Sequence, residues 1–300
     1  MKKKNITIIS IILLVGLLGC QSKQQISSTE QINQENGEVL PLEEKEGEYI
    51  YIADPYKNKI DVYDQEGNLT FTALKYGREE GRIRFPIEIA RKGDRLYILD
   101  MGNNRIQVFD RNFTFLFSFG NQVLKSPAGF DIYKDDVYVA NTYRSRIEVF
   151  SLDGGHKLSF GSVGRGPGQF AYLNDVAVDE DYIYALDTSA VSIEIFTHDG
   201  KFIEKWGKYS KNEDGFRYPL GIEVYNKTVF VSDAKNNRLG LYTKDGALIK
   251  SIGGYGNDKD QFNYPGVIWE SNGMIYINDG RNGRTKIYYP NGELYKILYF

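Results

Sequence analysis

The stretch DMGNNRIQVFD, residues 100–110, returns as DAKNNRLGLYT at residues 233–243. In both copies an aspartate follows an apolar run, and an arginine follows the aspartate five positions later. Apolar runs that end in Asp or Asn occur at six places, separated by 46, 41, 46, 46 and 46 residues. Self-similarity with a period of this length indicates a repeat architecture. The six runs end at Asp54, Asp100, Asn141, Asp187, Asp233 and Asp279.

Each repeat contains four short apolar segments. After the Asp or Asn come a polar loop, a second strand, a turn such as LDGG or HDGK, and a third strand. A glycine-rich connector then leads to an aromatic residue, a proline and a fourth strand, as in YPLGIEV. No helical period appears within the unit, and four strands in one such repeat are typical of a propeller blade. We therefore predict an all-β fold for residues 41–300, a six-bladed β-propeller of four-stranded blades.

The repeat resembles the NHL-repeat family. That unit runs roughly Pro-x-Gly-Ile-x-Val, then Tyr-Val-x-Asp, then Asn-x-Arg-Ile-x-Val-Phe, then Asp-Gly, and the match covers about 45–300. The resemblance implies the propeller fold. It implies little about activity, because one fold hosts many functions.

The two ends of the repeat array predict how the ring closes. The last copy supplies its own outer strand, LYKILYF, so the first copy must take its inner strand from residues 38–46, EVLPLEEKE. We therefore expect blade 1 to meet blade 6 by packing alone, without an exchanged strand.

The N-terminus has the layout of an export signal. Three lysines precede an apolar run, and residues 17–20, LLGC, resemble the bacterial lipobox. Residues 1–19 are then a signal peptide and Cys20, the only cysteine, is the lipidated residue; the alternative is a chance cysteine beside an ordinary signal peptide. Acyl chains such as palmitate would anchor the chain to a membrane of the cell envelope, outside the cytoplasm. Residues 20–40 are polar and predict a flexible tether.

Charge excludes one class of partner. Without the three lysines of the signal, 34 of the 37 Lys and Arg residues remain, against 40 Asp and Glu residues, for a net charge of about −6. This acidic balance, with no basic stripe, argues against nucleic-acid binding. We expect a monomeric propeller.

The repeated Asp and Arg are predicted to be structural. An aspartate at a strand end accepts hydrogen bonds from its own loop, and a basic residue five positions on can pair with it. We expect three such pairs, and the Asn-Asn dipeptides suit left-handed turn positions. The pairs are Asp100 with Arg105, Asp233 with Arg238, and Asp54 with Lys59.

Strand alternation sorts the remaining candidates onto two faces. The loops after each Asp and the connectors between blades share one face, the connector face, and the Asp-Gly turns share the opposite turn face. His156 and His198 lie in or beside Asp-Gly turns, where we expect solvated side chains. This placement argues against the His-dependent lyases of related propellers. Two histidines also exclude a three-His metal site within one chain.

Aromatic and arginine side chains mark the connector face. The aromatics form an exposed rim or pack on the core beneath, and both interpretations remain open. The arginines either recognise a carboxylate or planar anion or are solvated loop charges. The aromatics are Phe85, Tyr172, Tyr218 and Tyr264, and the arginines of the candidate binding face are Arg84, Arg217 and Arg165.

The inner strands carry a candidate polar or metal site at the channel mouth. Carboxylates stand in blades 2 and 4 where blades 3 and 5 have glycine, and two more acids lie two residues further on. Oxygen ligands of this kind suit Ca²⁺ or Mg²⁺; the alternative is acids that pair with nearby arginines. The residues are Glu88, Asn174, Asp175, Asp131 and Glu223. No resident cofactor is otherwise expected.

These observations leave three functional hypotheses. The first is a membrane-tethered binding module that recognises a protein, peptide or glycan through the connector face. The second is a Ca²⁺- or Mg²⁺-assisted hydrolase or lyase that acts on a small anion or lactone, although no convincing general base appears. The third is a purely structural role in the envelope.

Overall fold

Six antiparallel sheets surround a central channel. The structure is a computed structural model and describes residues 49–299. Five sheets have four strands and the first has three. In each four-stranded blade the chain runs from the inner strand, at the channel, outward through the second, third and outer strands. The prediction of a six-bladed all-β propeller is confirmed.

The first three blades follow the predicted period. The second strands end at Asp54, Asp100 and Asn141. Blade 1 contains β1 (Ile50–Asp54), β2 (Lys59–Tyr63) and β3 (Leu69–Ala73); blade 2 contains β4 (Pro86–Lys92), β5 (Arg95–Asp100), β6 (Arg105–Asp110) and β7 (Phe115–Phe119); blade 3 contains β8 (Gly129–Tyr133), β9 (Asp136–Asn141), β10 (Arg146–Ser151) and β11 (His156–Phe160).

The last three blades repeat this order after a short parallel ladder in the glycine-rich connector, β12 (Ser162–Val163) with β13 (Gln169–Phe170). Blade 4 contains β14 (Leu173–Val178), β15 (Ile183–Asp187), β16 (Ser192–Phe196) and β17 (Phe202–Trp206); blade 5 contains β18 (Pro219–Tyr225), β19 (Thr228–Asp233), β20 (Arg238–Tyr242) and β21 (Leu248–Gly253); blade 6 contains β22 (Pro265–Ser271), β23 (Met274–Asp279), β24 (Arg284–Tyr288) and β25 (Leu294–Tyr299).

Burial follows each strand's place in its sheet. Every residue of β15 and of β16 is buried, whereas β3 and β21 are mostly exposed. A strand apolar on both faces requires a packed layer on either side, which the neighbouring blades supply. The loops between second and third strands include three 3-10 turns, Met101–Asn103, Thr142–Arg144 and Gly280–Asn282.

The hydrophobic cores lie between neighbouring blades, and one of them closes the ring. Ile50 and Ile52 of blade 1 pack with Ile287 and Leu298 of blade 6. Lys296 Nζ of the outer strand of blade 6 also donates to the carbonyl oxygen of Gln65, 2.7 Å away. Among residues 49–299 the outer strand of blade 6 pairs within blade 6. In this described part of the chain, blades 1 and 6 therefore meet by packing, without an exchanged strand.

Several predictions lie outside the described residues. These are the signal peptide 1–19, Cys20 with the tether 20–40, and the inner strand of blade 1 at 38–46. Within residues 49–299, no helix has the length and hydropathy needed to cross a membrane.

Candidate functional site

The repeated aspartate holds the start of its own blade. Asp100 is fully buried, and its Oδ1 accepts the backbone N–H of Arg84, which lies just before the inner strand, at 2.7 Å. Its Oδ2 accepts from Asn103 Nδ2 at 2.8 Å, Arg105 Nε at 2.9 Å and Gln107 Nε2 at 3.0 Å. All of these donors come from the same blade and its connector. The repeated Asp and Arg are therefore structural, as predicted.

The arginine five positions on fastens the connector. Arg105 Nη2 donates to the carbonyl oxygens of Glu79 and Arg82, which lie 26 and 23 residues earlier. Arg238 and Arg284 donate to carbonyl oxygens at the same two offsets. A guanidinium presents several donors in a fixed fork and suits this multiple contact. The arginine thus ties the third strand to the incoming connector.

Three of the four Asp–basic pairs at this spacing form. The nitrogen–oxygen distance is 2.9 Å for Asp100–Arg105, 3.8 Å for Asp233–Arg238 and 2.7 Å for Asp279–Arg284, a pair the sequence reasoning did not name. The expected pair of Asp54 with Lys59 is wrong. Lys59 Nζ instead contacts Asp61 at 2.6 Å, two residues along its own strand, and Asp54 contacts Lys57 at 3.6 Å.

The second asparagine of the Asn-Asn dipeptide reaches the next blade. Asn104 and Asn237 hold left-handed backbone conformations, with φ of 57° and 52°. Asn237 Oδ1 accepts the backbone N–H of Tyr264 at 3.0 Å, and Asn58 Oδ1, at the equal position in blade 1, accepts that of Phe85 at 2.7 Å. Phe85 and Tyr264 also have positive φ, 50° and 61°, which is uncommon for aromatic residues. The asparagine of one blade therefore stabilises an unusual backbone at the start of the next.

Five aromatic side chains form an arc on the connector face. Tyr218 and Tyr264 lie 6.3 Å apart between ring centroids, and Tyr56 lies 6.0 Å from Phe85. Burial raises the pKa of Tyr172 and of Tyr264. Tyr218 adds to the raised pKa of both, and Tyr56 adds to that of Tyr264, so these phenols are neighbours. We call Tyr172, Tyr218, Tyr264, Tyr56 and Phe85 the aromatic arc.

The arc is a rim and not part of the core. Its members are half-buried or exposed, and none belongs to the hydrophobic clusters between blades in the described chain. Of the two sequence interpretations, the exposed rim therefore fits the structure. Sequence reasoning missed Tyr56, which lies in a loop rather than beside a proline.

Cations stack on the arc. Lys235 Nζ lies 4.6 Å from the ring centroid of Tyr218, and the guanidinium of Arg281 lies 4.5 Å from that of Tyr264. Arg84 and Arg217 hold the flanking carbonyls of Gly102 and Lys235, at 3.5 and 3.3 Å. In residues 49–299 none of these four cations forms an ion pair with an acid.

Arg165 lies apart from the arc. It is exposed in the glycine-rich connector between β12 and β13, where its carbonyl oxygen accepts from Lys205 Nζ at 3.4 Å. The glycines of this loop use their N–H groups internally, since Gly166 donates to Gln169 and Gly168 donates to Glu194. The loop is a blade connector, as expected.

Exposed tyrosines extend the connector face outward. Tyr76, Tyr209 and Tyr255 occupy equal positions in three connectors and are 59%, 61% and 74% exposed. Each forms a one-residue parallel bridge within its connector. Clustered exposed aromatics on one face are typical of an interaction surface. The period of the sequence contains this signal, because the three tyrosines are 133 and 46 residues apart.

The channel carboxylates join successive blades. Asp131 Oδ1 accepts the N–H of Ile132 in its own strand, and Oδ2 accepts that of Val178 in the next blade at 2.7 Å. Glu223 bridges in the same way to Glu270 N, at 2.8 Å.

In blades 2 and 4 the carboxylate stands two residues earlier on the inner strand, at Glu88 and Asp175. Asp175 accepts from Val176 at 2.8 Å and from Ile222 of blade 5 at 3.0 Å, and Glu88 accepts from Phe130 of blade 3 at 3.1 Å. Inner strands leave backbone N–H groups unpaired along the channel edge, and the carboxylates satisfy them. We call Glu88, Asp131, Asp175 and Glu223 the channel clasps.

These contacts correct the predicted partners of the acids. Within the described chain no arginine pairs with a channel clasp, so the expected ion pairs to arginine are wrong. Asn174 donates to the carbonyl oxygen of Leu220 in the next blade. Gly129 and Gly221 permit close approach, because an added Cβ would lie 2.0 Å from Asp175 Oδ1 or 2.6 Å from the carbonyl oxygen of Gly266.

Burial without a cation raises the pKa of the clasps. Burial raises the pKa of Asp131 to about 6, and burial with repulsion from Asp175 raises the pKa of Glu88 well above its usual value. Burial likewise raises the pKa of Asp175 and Glu223, and Asp131 adds to both. Among residues 49–299 no group of three or more His, Cys, Asp or Glu is arranged to hold a metal ion.

The channel opens into a cavity at the turn face, opposite to the predicted mouth. The cavity has a volume of about 530 Å³. Three of the four clasps line it, Asp175 being the exception, together with Glu270, which sequence reasoning missed. The predicted polar site and the predicted binding face therefore lie toward opposite ends of the channel.

The histidines pack on their neighbours rather than standing free. His156 Nε2 lies 2.8 Å from Glu148 Oε2 on the outer half of blade 3. The His198 ring stacks on Tyr133 with centroids 5.4 Å apart. His156 is exposed, as expected, His198 is half-buried, and neither histidine lines the cavity.

Comparisons with known proteins agree on the fold. A family model, DUF5128, described as a 6-bladed beta-propeller, matches residues 120–207. The curated proteins give no match. Among solved structures, a streptogramin B lyase is similar at 15% identity and a TM-score of 0.60, with 85% of this chain and 80% of that chain covered.

Two further solved structures are similar. A catalytically inactive variant of virginiamycin B lyase from Staphylococcus aureus, with quinupristin, matches at 12% identity and a TM-score of 0.58, covering 86% of this chain and 87% of that chain. A chain of a nidogen/laminin complex matches at 19% identity and a TM-score of 0.54, covering 68% and 74%. The fold is shared. The activities of these proteins are not assigned to this chain, because fold and function are separable.

Proposed function

We propose that the chain is a membrane-tethered binding module that holds a protein, peptide or glycan partner on its connector face. One observation supports this most: the aromatic arc lies outside the described cores and carries cations that form no ion pair with an acid in residues 49–299. Aromatic and arginine side chains dominate binding energy at interfaces. The exposed tyrosines of the connectors extend the same surface. The NHL-type motif agrees with this proposal and does not by itself support it.

The channel favours binding over metal-assisted catalysis. Asp131, Asp175 and Glu223 each accept backbone N–H groups on both carboxylate oxygens. Few oxygens therefore remain to ligate Ca²⁺ or Mg²⁺, which want many. A general base close to Arg84 or Arg217 is also missing from the described residues.

Photo-crosslinking from both faces tests the proposal. Tyr143 is 69% exposed on the connector face of blade 3, and Asp153 has an 80% exposed side chain on the turn face of the same blade. Each is replaced by p-benzoylphenylalanine in cells that express the full chain. We expect a discrete adduct from position 143 and none from position 153. Adducts only from position 153, or none from either, would reject the connector face.

The tether is tested separately. A lipid on Cys20 would place the full chain in the membrane fraction, and Cys20→Ser would release it or retain its signal peptide. Radiolabelled palmitate is expected to label the parent chain and not the variant. Labelling of both would refute Cys20 as the anchor.

A further inference from the structure

The cavity at the turn face is distinct from the proposed partner surface. Its walls are the halves of the inner strands that approach the turns, with blade 1 contributing Tyr49 and Tyr51. A cavity of about 530 Å³ is large enough for a small organic molecule.

Burial raises the pKa of the acidic side chains that line this cavity, and a bound cation would favour their charged form. Glu88, Asp131, Glu223 and Glu270 all contribute to the wall. In the described part of the chain none of them forms an ion pair, although Arg91 and Lys92 lie at the cavity edge. The cavity therefore favours a ligand that brings positive charge.

Two of the acids keep a free carboxylate oxygen. Glu88 is only 9% exposed, and within residues 49–299 its Oε2 alone accepts a hydrogen bond, from Phe130. Glu270 likewise uses only Oε1, with Gly273 at 2.6 Å. A carboxylate oxygen that has no protein donor and opens to the cavity can accept an N–H from a ligand.

Aromatic rings share the wall. Trp269 lines the cavity and stacks on Tyr276 at 5.2 Å with an interplanar angle of 16°, and Tyr225 lies on the neighbouring blade. Tyr133 already carries a cation, since Lys134 Nζ lies 5.0 Å from its ring centroid. Aromatic faces attract ammonium groups, most strongly where water is excluded.

We propose that this cavity binds an organic cation with a protonated primary amine, held by the free oxygens of Glu88 and Glu270 beside Trp269. An ammonium needs few acceptors and gains from the rings. A bare divalent ion needs more oxygens than the clasps leave available. The site is independent of the connector face, so either proposal can fail alone.

Calorimetric titration of the full chain, purified in detergent, tests this site. The probe is 1,5-diaminopentane, and 1,5-pentanediol is its neutral match. We expect the diamine to bind at one site and the diol not to bind. Glu270→Gln and Glu88→Gln should each weaken diamine binding at least 10-fold, while Glu204→Gln, on the exposed outer strand of blade 4, should leave it unchanged.

The outcomes separate the alternatives. Absence of diamine binding, equal binding of the diol, or unchanged affinity in both cavity variants would overturn the proposal. Displacement of the diamine by equimolar Ca²⁺ would overturn it in favour of a metal site. Thermal unfolding of each variant verifies its fold; if one glutamine variant fails to fold, the other decides.

Discussion

The Asp loops and the channel clasps solve the same problem with different partners. In both regions a carboxylate accepts backbone N–H groups of an inner strand or of the residues just before it. Asp100 also holds Arg105 at 2.9 Å, whereas Asp131 has no basic partner among the described residues and reaches into the next blade instead. The difference teaches that an Asp-loop carboxylate is held by donors of its own blade and a cation, while a clasp joins two blades and lacks an ion pair, which leaves its pKa raised.

The electrostatic contrast is one of degree. Burial raises the pKa of Asp100 too, but its hydrogen bonds and Arg105 act against that rise. For Glu88 and Glu223, neighbouring acids add to the effect of burial. The clasps therefore respond to pH, and the Asp loops respond chiefly to loss of a partner.

The largest expected effect comes from removing an Asp-loop carboxylate. Asp100→Ala leaves the buried Arg105 and three other donors without their acceptor, so we expect a loss of about 3–5 kcal/mol in the free energy of unfolding. Asp54→Ala is the matched control, since Asp54 is more exposed and its ion pair with Lys57 is long, and should cost about 1 kcal/mol. Urea unfolding measures both. Equal losses would show that the arginine pair adds nothing.

The channel clasps should give stability an acidic optimum. A carboxyl whose pKa is raised in the folded state stabilises the fold fully below its unfolded pKa, and this stabilisation is lost as pH rises through the folded value. For Asp131 that window runs from its ordinary 3.8 to about 6, and we expect a loss of about 3 kcal/mol across it. Urea midpoints between pH 4 and 7.5 measure the trend.

Two variants sharpen the pH prediction. Asp131→Asn should flatten the pH dependence of the urea midpoint. Asp199→Asn should not, because a hydrogen bond from Lys201 lowers the pKa of Asp199, a shift in the opposite direction to that of the clasps. A parent chain whose stability rises steadily from pH 5 to 7.5 would contradict the assignment.

A smaller effect is expected from the asparagine that reaches the next blade. Asn237→Gly keeps the left-handed backbone and removes only the acceptor for Tyr264, so we expect a cost of about 1 kcal/mol. Ser145→Gly is the control. Ser145 has φ of 52° at the equal position but, in the described chain, makes no side-chain bond to the next blade. Similar losses of unfolding free energy in both variants, measured by urea unfolding, would show that the Asn237 side chain does not stabilise the start of the next blade.

The sequence predicted the ring well, because the period and the Asp-terminated strands survive in every copy. It also placed the aromatic-Pro residues on the correct face. It did not find Glu270, because this acid stands five residues after Pro265, one residue beyond the repeat position that Glu223 occupies in blade 5 and Trp269 in blade 6. The partners of the clasps were missed for a different reason. They are backbone N–H groups 42 or 47 residues away, and only the packing of neighbouring blades brings them together.

The most direct test of the central claim combines the arc with the crosslinker. The chain with p-benzoylphenylalanine at position 143 is compared with and without Tyr218→Leu and Tyr264→Leu. Both side chains are half-buried outside the cores, so the free energy of unfolding should change by less than about 1 kcal/mol. We predict that the connector-face adduct disappears while the fold persists. An undiminished adduct would contradict the claim that the aromatic arc holds the partner.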